Sequence, residues 1–145
     1  MATNKTITAD AKLLDGFKIE LKAREFKMYI DQPPAMGGTN TGPNPLEYNL
    51  FSLAGCCVTI ANLIAKQRKY AIRGLSAHAE ASLNSEVFMG KNEEDRAGFQ
   101  DINITLEIDA DMTEEEKMAF AQEVEERCPV AENMLNASKI HLSVN

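Results

Sequence analysis

The sequence predicts an α+β fold, because segments with the pattern of strands and of helices follow one another without the regular alternation of a parallel α/β sheet. Two observations support this prediction. Apolar residues recur at every second position in several segments, which is typical of half-buried strands. Between these segments lies one long and mostly apolar helical segment. The 145 residues match the size of one domain, so we expect a single domain over residues 1–145.

The first thirty residues are predicted to form two or three antiparallel strands. Apolar and charged residues alternate from Phe17 to Leu21, as in a strand with one dry face, and Asp15-Gly16 is a strong signal for a tight turn. Residues 31–45 hold four of the five prolines and three of the eight glycines. This segment is therefore predicted to be a long loop, of a length that is often functional.

A long helix is predicted from Pro45, with Asn44 as its cap, to the basic residues before Tyr70. Its apolar residues occur on nearly every face, which indicates a buried central helix. The basic residues at its end suit the negative end of the helix dipole.

The second half of the chain is predicted to hold more strands and two shorter helices. Alternating patterns at 72–83 and 102–108 indicate two strands joined by a long polar loop. Residues 113–116 form a capping box that begins a helix ending near Cys128, and Pro129 begins a short third helix. The alternation of Ile140, Leu142 and Val144 predicts a last strand.

The composition excludes several classes of partner. The net charge is −7 and no run of Lys or Arg occurs, so we expect neither nucleic acid nor an anionic membrane surface as a partner. The first thirty residues lack a basic start followed by a long apolar run, so we expect no signal peptide or membrane anchor there. These observations favour a cytoplasmic protein.

Three cysteines do not form a disulfide framework, so each thiol is considered separately. Cys56 and Cys57 are consecutive in the predicted helix and diverge by about 100°, so we expect only one of them to face a given cavity. Small residues beside them, above all Gly55, would let a partner helix or a substrate approach closely. Cys128 is expected to cap the next helix. It is either a buried capping residue or a reactive thiol, since the N-terminal end of a helix lowers the pKa of a thiol.

Metal and cofactor sites are not expected from the sequence. His78 and His141 lie on the polar faces of their predicted strands, far apart in the chain, and no C-x-x-C or H-x-x-x-H spacing occurs. A zinc site is therefore not predicted. The glycines of the loop do not have the G-x-G-x-x-G spacing of a phosphate-binding turn.

Three segments together resemble the OsmC/Ohr family, namely residues 37–47 (GGTNTGPNPLE), 53–56 (LAGC) and 127–130 (RCPV). The resemblance implies a two-layer α+β fold with antiparallel sheets and a long buried central helix. It also implies an intertwined homodimer with its sites at the interface. In active members a thiolate on the central helix attacks a hydroperoxide and is then resolved by a second cysteine. By resemblance, Cys56 is the peroxidatic thiol, Cys128 is the resolving thiol, and a dithiol is the reductant.

The same resemblance implies a Glu and an Arg that activate the thiol. Active members have Glu directly after the loop proline, where this chain has Leu46, and Glu47 follows one position later. No Arg occurs near Tyr29, where one is expected, and Arg24 is the nearest. Glu47 and Arg24 are therefore the candidates for an incomplete pair, as in the more distant OsmC-like branch.

Three functions stay open from the sequence. The first is a thiol-dependent reductase of small organic hydroperoxides. The second is a non-catalytic dimer that binds a small hydrophobic ligand in an apolar cavity at its interface, with the thiols as lining. The third is a redox sensor, which shares the thiol chemistry of the first.

Overall fold

Three consecutive strands form an antiparallel sheet at the start of the chain: β1 (Asp10–Asp15), β2 (Lys18–Ala23) and β3 (Phe26–Ile30), in the order β1-β2-β3. The predicted turn between β1 and β2 is confirmed, since Gly16 has a φ of 56°, a conformation that costs glycine little. Arg24 has a φ of 53° in the turn between β2 and β3. This computed structural model describes residues 2–145.

The chain divides into two compact units, one ending at Asn49 and the other comprising Leu50–Asn145. The boundary falls within a single long helix, α1 (Pro45–Arg68). The single domain that the sequence predicts over residues 1–145 stays a prediction.

The long loop between β3 and α1 is organised by a buried carboxylate. Asp31 is 1 % exposed, and it is the one buried residue among those described up to Asn49. The loop also contains a 3-10 turn at Pro34–Met36, which the abundance of proline and glycine in residues 31–45 did not predict.

The helix α1 has one buried face. Its buried residues are Leu53, Cys57, Ala61, Ile64 and Ala65, spaced as one helical stripe. The opposite face is open, since Phe51 is 59 % and Leu63 is 43 % exposed. Within one chain, the long central helix is therefore buried on one face. Among residues 2–145, α1 alone is long and apolar enough to cross a membrane by length and composition, a criterion that core helices of soluble proteins also meet.

An antiparallel pair of strands, β4 (Ile72–Ala81) and β5 (Ile102–Ala110), follows α1. Leu75 pairs with Ile108 and Ala77 pairs with Leu106, so the drier side chains of both strands lie on one face. A four-residue helix, α2 (Ser85–Phe88), interrupts the connection between the strands and is capped by Asn84. The sequence predicted only a loop there.

Two helices complete the second unit: α3 (Glu114–Arg127) and α4 (Pro129–Leu135). The capping box at the start of α3 is confirmed, because the Thr113 hydroxyl accepts from the Glu116 N–H and the Glu116 carboxylate accepts from the Thr113 N–H. The core of this unit joins four elements. Its buried members come from α1, β5, α3 and the start of α4, namely Leu53, Cys57, Ala61, Ile64, Ala65, Ile108, Ala110, Phe120, Val124, Cys128 and Ala131.

The last predicted strand is wrong for the single chain. Residues 136–145 form no helix or strand, and Ile140, Leu142 and Val144 are 92 %, 91 % and 90 % exposed. A strand needs a neighbour to receive its backbone hydrogen bonds. Within the described chain, no strand is paired with this segment.

Candidate functional site

Cys56 lies in the middle of α1 and is partly buried against the core of the second unit. Cys57, the next residue, points into that core and is 7 % exposed. Gly55 precedes them on the exposed side of the helix, and a Cβ atom added to it would meet nothing within 4 Å. Cys56 is therefore the one of the two thiols that a small solute can reach.

Cys128 occupies the junction between α3 and α4. It is the C-cap of α3 and the N-cap of α4, with extended backbone angles (φ −81°, ψ 110°). Its Sγ accepts a hydrogen bond from the Ala131 N–H at 3.4 Å, as capping side chains do. The side chain has no exposed surface, so Cys128 can react only with a group that already lies beside it.

A polar network holds the end of α3 against the end of α1. The Glu123 carboxylate contacts Arg68 of α1 at 2.7 Å and Arg127 of α3 at 2.9 Å. Arg127 also donates to the Gln67 side chain at 2.9 Å. These contacts, together with the tilted rings of Tyr70 and Phe120 at 5.3 Å, position the α3–α4 junction beside α1.

This arrangement brings the three thiols together. Cys128 lies near enough to both helical thiols to raise the pKa of each. The Val130 N–H, in the first turn of α4, lies near the Cys56 sulfur and lowers its pKa. The expectation that only one of the consecutive cysteines faces a given cavity stays a prediction, and the structure adds that both lie near Cys128.

The surroundings of Cys56 favour its thiol form. Burial raises the pKa of Cys56, and the nearby Cys128 thiol raises it further, whereas the Val130 N–H lowers it. Burial likewise raises the pKa of the Cys57 thiol to about 12, and the nearby thiol of Cys128 adds to this rise. Within residues 50–145, no Lys or Arg is among the groups that shift the pKa of Cys56.

Comparison with known proteins identifies the family to which this chain belongs. The model of the OsmC-like protein family matches residues 38–143. The chain belongs to the OsmC-like family.

Two relatives of this OsmC-like chain are named hydroperoxide reductases. It is 30 % identical over 145 residues to a hydroperoxide reductase of Mycoplasma genitalium, covering 97 % of this chain and 96 % of that protein. It is 28 % identical over 121 residues to a hydroperoxide reductase of Mycoplasma pneumoniae, covering 83 % of this chain and 81 % of that protein. The crystal structure of an OsmC-like protein from Mycoplasma pneumoniae superposes with a TM-score of 0.80 at 25 % identity, covering 93 % and 91 % of the two chains.

The two residues expected to activate the thiol in an OsmC-like protein have local partners in the first unit. Glu47 closes a reciprocal cap at the start of α1, where its N–H donates to the Asn44 side chain at 2.8 Å and its carboxylate accepts from the Asn44 N–H at 3.2 Å. Arg24 pairs with Glu25 at 3.8 Å and lies over the ring of Phe26 at 4.8 Å. A role of either residue in activating Cys56 stays a prediction.

Asp31 is a buried residue that the sequence analysis did not single out. Its carboxylate accepts hydrogen bonds from the Thr39 hydroxyl at 2.6 Å, the Thr39 N–H at 3.3 Å, the Thr41 N–H at 3.1 Å and the Gln32 N–H at 2.8 Å. The Thr39 hydroxyl contributes most to a pKa of Asp31 well below its ordinary value. An Asp between a predicted strand and a loop that contains Gly and Thr was the available signal, since Asp side chains bind the backbone of turns.

Two glycines make this loop possible. A Cβ atom at Gly38 would collide with the Gln32 carbonyl oxygen, and one at Gly42 would collide with the Tyr29 carbonyl oxygen. In this loop, the backbone at the two glycines therefore packs closely against neighbouring carbonyl groups, and the Asp31 carboxylate binds the loop from within. The loop leads directly to α1.

The histidines have surroundings that fit no metal. His78 lies on β4 and approaches Glu80 at 3.7 Å, and His141 lies in the exposed C-terminal segment. Among residues 2–145, no three His, Cys, Asp or Glu side chains are grouped so that they could hold a metal ion.

Proposed function

We propose that this OsmC-like protein is a thiol-dependent reductase of small organic hydroperoxides, with Cys56 as the peroxidatic and Cys128 as the resolving cysteine. The main support is the contact between a thiol that is partly open to solvent and one that is fully buried. This difference in access suits a reaction that begins at the first thiol and is completed at the second.

The chemistry follows from this contact. The Cys56 thiolate attacks the outer oxygen of the hydroperoxide, the O–O bond breaks, and an alkoxide leaves and takes up a proton. Cys56 is then a sulfenic acid. The Cys128 thiol attacks the sulfenic sulfur, the S–O bond breaks, water leaves, and a Cys56–Cys128 disulfide remains. A dithiol reductant restores both thiols by exchange.

The relatives support the same assignment. Two proteins at 28 % and 30 % identity are named hydroperoxide reductases, and the chain covers most of each. Both cysteines fall within the region matched by the family model, residues 38–143.

Peroxide consumption tests this proposal. Wild type with a dithiol should consume an organic hydroperoxide catalytically, and Cys56→Ser should lose the activity because it lacks the attacking sulfur. Ser76→Ala, which changes an exposed side chain of β4, is the matched control and should keep the wild-type rate. Equal consumption by wild type and Cys56→Ser would refute the proposal.

We also propose that the working form is a homodimer. Large apolar side chains are exposed on the open face of α1, and the C-terminal Ile140, Leu142 and Val144 are exposed to 90 % or more. The strands of the first unit expose further apolar residues, including Phe17 at 51 % and Phe26 at 50 %. Large exposed apolar patches are rare on monomers, and a second copy of the chain would cover the open face of α1.

A second candidate function is a non-catalytic dimer that binds a small hydrophobic ligand. The observation that favours it is the raised pKa of Cys56, with no cation of residues 50–145 to oppose the rise. In that case neither wild type nor Cys56→Ser would consume hydroperoxide, and both would bind a fluorescent fatty-acid probe with equal affinity.

The cytoplasm is the proposed compartment. Three unpaired cysteines suit a reducing environment in which a dithiol is available.

A further inference from the structure

Cys57 has no role in the two-cysteine reaction, yet its thiol lies near enough to Cys128 for that residue to raise its pKa. Both residues are buried members of the same core. Cys57 cannot be joined to Cys56, because consecutive helical residues point about 100° apart and a disulfide needs Cβ atoms that face each other. The thiol that Cys57 can reach is that of Cys128.

The position of Cys128 between the two helical thiols suits exchange. Cys56 and Cys57 diverge from the helix, so a sulfur that contacts both must lie in the wedge between them. Thiol–disulfide exchange requires the attacking sulfur and the leaving sulfur to lie on opposite sides of the central sulfur. The Ala131 N–H donates to the Cys128 sulfur at 3.4 Å and so fixes its side chain at the start of α4.

We infer that Cys57 is a second partner of Cys128, which accepts the disulfide from Cys56 and returns Cys56 to the thiol state for a second hydroperoxide. This inference rests on the proposed function. The Cys57 thiolate attacks the Cys128 sulfur, the Cys57–Cys128 bond forms, and the Cys56–Cys128 bond breaks. Cys56 leaves as a thiolate with the bonding electron pair, so the exchange involves no net oxidation.

The consequence is that one chain takes up two oxidising equivalents. The first hydroperoxide produces a Cys56–Cys128 disulfide, which moves to Cys57–Cys128. The second hydroperoxide oxidises the freed Cys56 to a sulfenic acid and leaves as the alcohol. Because Cys57 is buried and Cys56 is more accessible, the exchange places the disulfide inside the core and the reactive thiol at the accessible position.

The burial of Cys57 also determines the rate. With a pKa of about 12, Cys57 is almost entirely a thiol at neutral pH, and its thiolate fraction rises tenfold for each pH unit up to pH 9. The exchange should therefore accelerate about tenfold per pH unit, because the thiolate is the attacking form.

Counting equivalents without a reductant tests the inference. Wild type, given four equivalents of cumene hydroperoxide at pH 9, should consume two per chain, and Cys57→Ala should consume one. Mass spectrometry with fragmentation between Cys56 and Cys57 should locate the disulfide first at Cys56–Cys128 and later at Cys57–Cys128. Dimedone should then label Cys56 in wild type but not in Cys57→Ala, where Cys56 stays in the disulfide.

The outcomes separate this inference from the proposed function. Consumption of one equivalent by wild type, with Cys57 free throughout, would overturn the inference and leave the proposed function intact. No consumption by wild type would overturn both. If wild type consumed two equivalents and no Cys57–Cys128 disulfide ever appeared, the inference alone would be overturned. Cys57→Ser serves as the second variant if the alanine perturbs folding.

Discussion

The reaction of Cys56 with an organic hydroperoxide should depend steeply on pH. An unperturbed thiol has a pKa of about 8.5 and is about 3 % thiolate at pH 7. Burial and the contact with Cys128 raise the pKa of Cys56, so its thiolate fraction at pH 7 is smaller still. Because the thiolate is the nucleophile, raising the pH from 7 to 9 should increase the second-order rate tenfold or more, up to about a hundredfold.

Stopped-flow kinetics with a single organic hydroperoxide between pH 6 and pH 9 measures this dependence. Cys57→Ala is included so that only Cys56 and Cys128 contribute thiols. A fast and flat profile would refute the reasoning, because it would mean that Cys56 is already ionised by a cation.

Arg24 is the candidate for that cation. If the profile were flat and Arg24→Ala restored the steep dependence, Arg24 would be the activating residue, contributed within the chain or across a dimer. A guanidinium within a few ångströms lowers a thiol pKa by about one to three units. If Arg24→Ala left a flat profile unchanged, the assignment of Arg24 to the site would be wrong.

Three further predictions concern assembly and stability. Sedimentation at micromolar concentration should give about twice the chain mass of 16.0 kDa, since a second copy would cover the exposed apolar surface, and a well-folded monomer would contradict the dimer. Thr113→Ala should lower the free energy of unfolding by about 1 kcal/mol through loss of the α3 cap, measured by urea denaturation, with Ser76→Ala, a change at an exposed residue, as a control that stays unchanged. Asp31→Asn should lower the melting temperature at pH 7. Because folding lowers the pKa of Asp31, its charge stabilises the fold above the ordinary pKa, and this stabilisation is lost as the pH falls from the ordinary pKa through the lowered one. The difference between the two melting temperatures should therefore shrink progressively below about pH 4, and equal values at pH 7 would show that the charge does not matter.

Local patterns predicted most elements of the fold. The period of two in the first thirty residues predicted β2 and β3. The Asp15-Gly16 pair predicted the turn between β1 and β2. Side-chain caps at Asn44 and Thr113 predicted where α1 and α3 begin. Each of these signals operates between residues a few positions apart, where the backbone can respond to the sequence directly.

The C-terminal segment shows where local patterns stop being sufficient. The alternation of Ile140, Leu142 and Val144 has the period of a strand, but the segment is not paired in the single chain. A strand depends on a neighbouring edge as well as on its own residues. The open face of α1 is a similar case, because composition indicates that its apolar residues need cover and does not indicate which surface supplies it.

The sequence predicted the residues of the candidate site from their type and from the family motif. It did not predict the contacts between them. The sequence by itself determined that Cys56 lies on a long helix, that Cys128 lies at a helix junction before Pro129, and that the chain resembles an OsmC-like protein. Only the tertiary structure decided that Cys57 also reaches Cys128, that the Val130 N–H meets Cys56, and that Glu47 caps α1. The first set follows from residues within a turn or two of one another. The second, apart from the cap, joins residues about 70 positions apart, whose approach depends on how α3 and α4 pack against α1.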